Sequence, residues 1–203
     1  IVLNDTIFSD RKGVIGIIGA GNFTNMTVLP FLKESGAQLK MIASSSGASS
    51  TQLAKKHGIS QSTTDYKEIL NDEDVDTVII TTRHGSHAKL VVESLNAGKN
   101  TFVEKPLALN PDELDQIIEA YNNLQQKTNS QTLTVGFNRR FSPHLIKVKQ
   151  SMGDDAGAVN IIANMNAGCI PKDHWVHDLE SGGGRIIGEA CHLMDVCVYL
   201  SES

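Results

Sequence analysis

"VIGIIGAGNFT", residues 14–24, is a β-branched run leading into a glycine-rich turn, and its reading decides the fold. Gly19, Ala20, Gly21, Asn22 and Phe23 follow a G-x-G-x-x-G fingerprint, with Thr24 where the third glycine belongs. Gly19 permits a tight turn after a strand. Gly21, lacking Cβ, lets the backbone approach a pyrophosphate lying at the positive end of the following helix. The third glycine normally serves close helix–strand packing, so Thr24 enlarges a packing contact without blocking a ligand. Its hydroxyl is expected to bond back to the carbonyl of Ala20. The fingerprint carries meaning only between a strand and a helix, and this one opens an alternating series of them.

From Gly13 onward, strand-like runs alternate with segments of helical spacing, which predicts βαβ units and an α/β fold built on a doubly wound parallel sheet. Strands are expected at "VIGII", "AQLKMIA", "VDTVIITT", "NTFVE" and "TLTVGF". The third of these is apolar and β-branched almost throughout, as in a strand buried on both faces. Helices are expected from Asn22 to Glu34 with a kink at Pro30, at "STQLAKKHG" up to Gly58, from His87 to Asn96, and after an Asn110 cap with Pro111 first. "TDYKEIL" offers Thr64 or Asp65 ahead of Glu68 as a capping box. "SSSGASS", 44–50, reads as a polar loop.

After Arg140 the pattern changes. "AVNIIANMNAG", 158–168, alternates like a strand, and "SGGGRIIGEACHLMDVCVYL" is a glycine-rich loop running into an apolar helix. The reading is therefore residues 1–12 as a short strand and linker or remnant of a preceding module, 13–140 as a nucleotide-binding domain, and 141–203 as the incomplete beginning of a substrate and oligomerisation domain.

Composition narrows the function. With 203 residues, 40% hydrophobic and 20% charged, the chain has enough apolar sequence for a core. A net charge of -5 and no run of Lys or Arg argue against nucleic acid. No apolar run approaches the roughly 20 residues of a membrane span, which predicts a soluble protein. Three cysteines, Cys169, Cys191 and Cys197, lack C-x-x-C spacing and point to a reducing cytoplasm rather than a disulfide framework or a zinc knuckle. Ile1 in place of Met suggests a piece of a longer protein.

"FVEKPLAL", 102–109, is the most specific stretch. Together with "VIGIIGAGNFT", "DYKEIL", "VIITTRHGSHAKLVVESLNAGKNTFVEKPLAL", "VGFNRRFSP" and "GGGRIIGEACHLMD" in that order, it resembles the Gfo/Idh/MocA superfamily of glucose-fructose oxidoreductases and inositol dehydrogenases. The resemblance implies an N-terminal Rossmann domain for NAD or NADP, then an α+β open-sheet domain that supplies the substrate pocket and, in the full-length protein, a homo-oligomer interface. It implies Lys105 beside the nicotinamide and the reacting hydroxyl, Glu104 positioning the cofactor, and His192 exchanging a proton with the substrate. The chemistry agrees for Lys105, because a desolvated lysine near a cationic ring assists proton transfer. Thr81, Thr82, Arg83, His84 and His87 follow a central strand and belong at the ligand edge of the sheet. His84 and His87 have no evident third partner for a metal, so no metal is expected. His174 and His177 are expected to line the substrate pocket or its rim.

Two departures stand out. Many members of the family place Asp four residues before the histidine, whereas here Gly188 occupies that position and Glu189 follows, turned by roughly 100° on a regular helix. At the end of the second strand, Ser44, Ser45 and Ser46 stand where a ribose-binding carboxylate is usual, which admits both NAD and NADP. The variant motif and the N-terminus also resemble two-part oxidoreductases in which a medium-chain dehydrogenase-like module comes first. The expected activity is hydride transfer to or from a secondary alcohol of a sugar, cyclitol or nucleotide-linked sugar, a small carbohydrate being the partner. Two alternatives stand beside it: a non-catalytic dinucleotide-binding regulator or sensor, and an enzyme that keeps NAD bound as a redox catalyst for glycoside cleavage.

Overall fold

The computed structural model describes residues 1–4, 6, 8, 13–128, 131–153 and 157–201. Six strands, β1 (Val14–Ile18), β2 (Gln38–Ala43), β3 (Gln61–Thr63), β4 (Thr77–Ile80), β5 (Asn100–Val103) and β6 (Leu133–Val135), form one parallel sheet in the order β3-β2-β1-β4-β5-β6. This is the Rossmann order. The chain reverses direction across the sheet between β1 and β4, and the carboxyl ends there open a crevice.

The sheet is buried on both sides. In β1, Val14 and Ile18 face one apolar cluster with Ile69, Val78, Leu90, Val91 and Ile117, while Ile15 and Ile17 face the other with Leu29, Ile42, Leu53 and Ile59. Gly16 sits between them because a Cβ there would overlap Ile69. β1 spans its whole apolar run, whereas β4 is shorter than the run "VDTVIITT", its ladder covering only Thr77–Ile80. β3, "QST", is an edge strand too short and polar to show in the apolar pattern. Ile1–Asn4 lies along it, with an antiparallel bridge from Val2 to Gln61 and bonds from the Leu3 and Asn4 amides to the Ser60 carbonyl. The rest of the strand and linker expected over 1–12 falls largely outside the described residues.

Seven α-helices connect these strands and continue the chain: α1 (Leu29–Glu34), α2 (Gly47–His57), α3 (Lys67–Asn71), α4 (His87–Asn96), α5 (Pro111–Thr128), α6 (Pro143–Met152) and α7 (Cys191–Ser201). Several sequence expectations change. The loop expected at 44–50 ends at Ser46, and α2 already begins at Gly47. The capping box of "TDYKEIL" is not made: the Asp65 carboxylate receives the Lys67 amide, and Tyr66 occupies the cap position. The helix opened by Asn22 widens into a π turn over Thr24–Val28, where the Leu29 amide reaches the Thr24 carbonyl. A regular ladder would drive the Pro30 ring against the carbonyl four residues back, and the wider turn relieves that clash.

Ala158–Gly168 forms no strand among the described residues; it is mostly exposed coil. Alternating side chains make a strand only where a neighbour takes up the backbone hydrogen bonds, and none lies alongside. α7 is tied back to the turn after β6 by Arg140, whose Nε lies 3.0 Å from Asp195 Oδ2 while Nη2 engages Oδ1, and whose guanidinium covers the Tyr199 ring.

Candidate active site

A cleft of about 1300 Å³ opens along the carboxyl ends of β1, β2, β4 and β5. At one end is the glycine turn. Gly19 has φ +123°, and a Cβ on it would stand 2.6 Å from Thr81 Oγ1, so the sharp approach of β1 to β4 requires glycine. A Cβ built on Gly21 meets nothing within 4 Å, because that residue faces open space over the start of the helix. This is a cradle that a side chain would fill, as a bound pyrophosphate requires.

Thr24 is fully buried, and its hydroxyl lies 2.7 Å from Thr81 Oγ1. The bond expected to the Ala20 carbonyl is therefore replaced by one to β4, since Thr24 faces the sheet and Thr81 offers a hydroxyl there. The third glycine's packing contact has become a polar one. Ala20, Asn22, Phe23, Ser44, Ser45 and Thr82 also line the cleft, with Arg83 at the surface.

The other end holds the titratable groups. Lys105 follows β5, and its Nζ donates to the Gly188 carbonyl at 2.7 Å and stands 3.6 Å from Glu189 Oε1. Residues Ile186–Ala190 form a second π turn, closed by the Cys191 amide reaching Ile186. The extra residue in this turn breaks the 100° relation of a regular helix, and Glu189 faces the cleft beside Lys105 instead of turning away. Gly188 itself leaves little room for a side chain: a Cβ there would lie 3.0 Å from the Gly182 carbonyl oxygen and 3.3 Å from the His84 ring, so a neighbour would have to give way slightly.

His192 is the second residue of α7 and is 7% exposed, with its ring edge-on to Phe137 at 6.2 Å. Its Nδ1 is buried with no hydrogen-bond partner among the described residues. Burial, with the charges of Lys105 and Arg139, holds its pKa down to about 4, so the ring is neutral at physiological pH. Burial pushes Glu104 above the ordinary carboxylate range against the pull of Lys105.

His87 lines the cleft too, although it is 0% exposed: its Nδ1 is 2.8 Å from the Pro106 carbonyl and its Nε2 3.1 Å from that of Thr82, so it also ties together the loops after β4 and β5. The rim residues differ: exposed His174 and His177 are not among the cleft-lining residues, whereas Trp175 and Val176 between them are. Asn138 joins the lining as well. Trp175 is the chain's single tryptophan, and its ring packs edge-on to His84 at 5.0 Å beneath the Arg83 guanidinium at 5.6 Å. A lone tryptophan in a polar loop was the available signal; its distance along the chain from β4 concealed the contact.

The family described as "Oxidoreductase family, NAD-binding Rossmann fold" (GFO_IDH_MocA) matches residues 14–137. Among curated relatives, the uncharacterized oxidoreductase YrbE of Bacillus subtilis is 28% identical over 95% of this chain and 55% of its own length. The myo-inositol 2-dehydrogenase of Thermotoga maritima is 30% identical over 92% of this chain and 54% of its own. The chain thus spans about half the length of these relatives. Among solved structures, the 3-ketoreductase KijD10 of Actinomadura kijaniata, in complex with NADP and TDP-benzene, has a TM-score of 0.78 at 20% identity, covering 93% of this chain and 57% of its own. Levoglucosan dehydrogenase, in complex with NADH and levoglucosan, has a TM-score of 0.76 at 24% identity, covering 92% and 53%. At those identities the structural likeness speaks for the fold.

Proposed function

Since the chain belongs to the Gfo/Idh/MocA oxidoreductase family with its NAD-binding Rossmann fold, we propose that it is part of an NAD(P)-dependent oxidoreductase acting on a secondary alcohol of a sugar, cyclitol or nucleotide-linked sugar. The observation that carries this reading is the meeting of Lys105, Glu189 and His192 in the same cleft as the Gly19–Phe23 turn. Residues 13–140 would form the dinucleotide domain and residues 141–203 the start of the part that encloses the substrate.

Gly19 to Phe23 would cradle the pyrophosphate, Ser44 and Ser45 the adenosine ribose, and Thr81 to Arg83 with Glu104 the nicotinamide end. When bound, the dinucleotide supplies the hydride acceptor or donor. The proton of the substrate hydroxyl falls to this chain's own residues. Lys105, held by the Gly188 carbonyl and the Glu189 carboxylate, points its ammonium at the hydroxyl, and neutral His192 offers a basic nitrogen from the other side. Glu189 takes the place of the usual carboxylate as the group that orients Lys105.

The test is turnover by the full-length protein with NAD(P) and a panel of polyols and sugars that includes myo-inositol and levoglucosan. Lys105→Met is expected to keep the fold and dinucleotide affinity and to lower kcat by roughly 10² to 10⁴. Normal turnover by that variant would leave dinucleotide binding in a regulatory role as the better account.

A further inference from the structure

His84 rises from the loop after β4, and besides His87 its ring meets the far part of the chain. Its Nδ1 is 2.8 Å from the Gly182 carbonyl, a partner that can only accept, so Nδ1 carries the proton. In the neutral ring Nε2 then keeps its lone pair. That nitrogen has no hydrogen-bond partner among the described residues, and His84 lines the cleft. The edge of Trp175 against the ring fixes its plane. Burial lowers the pKa of the group, which keeps the lone pair available at neutral pH.

Gly188 lies against the ring: a Cβ at 188 would stand 3.3 Å from His84 Cε1, tight enough that one of the two would have to shift slightly. Lys105 Nζ donates to the carbonyl of that same glycine. Imidazole and ammonium are therefore both tied to the segment from Gly182 to Gly188, and both residues line one cleft. Lys105 and His192 attend to the reacting hydroxyl, which leaves the lone pair at Nε2 without a task.

We infer that His84 is a substrate-binding residue whose Nε2 accepts a hydrogen bond from a second hydroxyl of the substrate, one beside the hydroxyl that reacts. The inference rests on the oxidoreductase reading above and narrows its substrates to molecules with at least two neighbouring hydroxyls.

Two substitutions separate this role from simple anchoring. The side-chain amide nitrogen of His84→Asn takes the place of Nδ1 and keeps the bond to Gly182, but nothing replaces Nε2. His84→Gln gives up that bond and brings an accepting oxygen toward the place of Nε2. With the substrate that the panel identifies, His84→Asn is expected to keep wild-type NADH affinity and to lose roughly 10-fold in kcat/KM, chiefly through KM. His84→Gln recovers part of the loss, and removing the neighbouring hydroxyl from the substrate costs the wild type as much as the Asn substitution does. Wild-type kcat/KM in His84→Asn would reduce the ring to an anchor and overturn the inference. A loss confined to NADH affinity would assign the contact to the dinucleotide and overturn it as well. Nitrogen-15 NMR of the wild type decides independently of any substrate: a neutral ring protonated at Nδ1 is expected, and a proton on Nε2 contradicts the assignment. A wild type that turns over nothing in the panel counts against the oxidoreductase reading, whereas a proton on Nε2 would overturn the assignment of His84 alone.

Discussion

Gly19 and Gly21 stand two residues apart in one turn and do opposite things. Gly19 is needed by the fold: a methyl group there would press on Thr81 Oγ1 at 2.6 Å and on the Thr81 backbone at 2.9 Å, in a conformation L-residues avoid. Gly19→Ala is expected to lower stability by about 2 kcal/mol or more in urea unfolding. A change of a few tenths would show that the β1 turn relaxes freely. His192 makes a pH prediction. Its folded pKa of about 4 lies below the ordinary 6.5, so the folded state binds fewer protons than the unfolded chain between those values. The linked stability is fully present above about pH 6.5 and is lost as the pH falls toward 4. In His192→Phe the fall in Tm between pH 6.5 and 4 is expected to be shallower than in the wild type, with His84 and His87, also pushed down by burial, retaining part of it. Equal slopes would mean that His192 is solvated. At this scale the glycines were legible from their place directly after a strand, while Lys105 and His192 were singled out through the family resemblance and stand together in the cleft. The side-chain partner of Thr24 was not legible, since it depends on where β4 lies in space.

Among the elements, α5 shows local chemistry read correctly. Asn110 Oδ1 receives the Glu113 amide, and the Glu113 carboxylate reaches back to the Leu109 amide at 2.7 Å. Asn110→Ala is expected to cost about 1 kcal/mol of stability, measured by thermal or urea unfolding; no cost would mean that the tertiary contacts of α5 hold it without its cap. Caps and stops such as Gly58 behind α2 announce themselves because they act within a few residues. The two π turns did not. Thr24–Val28 and Ile186–Ala190 have helical composition; the first accommodates Pro30, where the sequence predicts only a kink, and the second answers to contacts elsewhere, with Gly188 close to His84 and its carbonyl on Lys105. The second turn also decides chemistry, because it brings Glu189 to Lys105 where regular periodicity turns it away. Ala158–Gly168 marks the opposite limit, since its alternation is real but no neighbouring strand accompanies it.

For the molecule as a whole, the parallel α/β class and five of the sheet's strands followed from β-branched runs separated by helical spacing, whereas the polar edge strand β3 came only with the structure. The strand order places the cleft at the reversal between β1 and β4, and the residues after β5 and at the start of α7 close one end of it. The central claim is that a dinucleotide lies across that edge with its pyrophosphate over Gly21. The most direct measurement is calorimetric titration of the wild type and of Gly21→Val with NADH and NADPH. A Cβ at 21 meets no atom within 4 Å, so the variant is expected to fold with unchanged Tm. The account expects the wild type to bind at least one of the two dinucleotides and Gly21→Val to bind it about 100-fold more weakly, ~2.8 kcal/mol. A wild type that binds neither, or a valine variant that binds as tightly as the wild type, would contradict it.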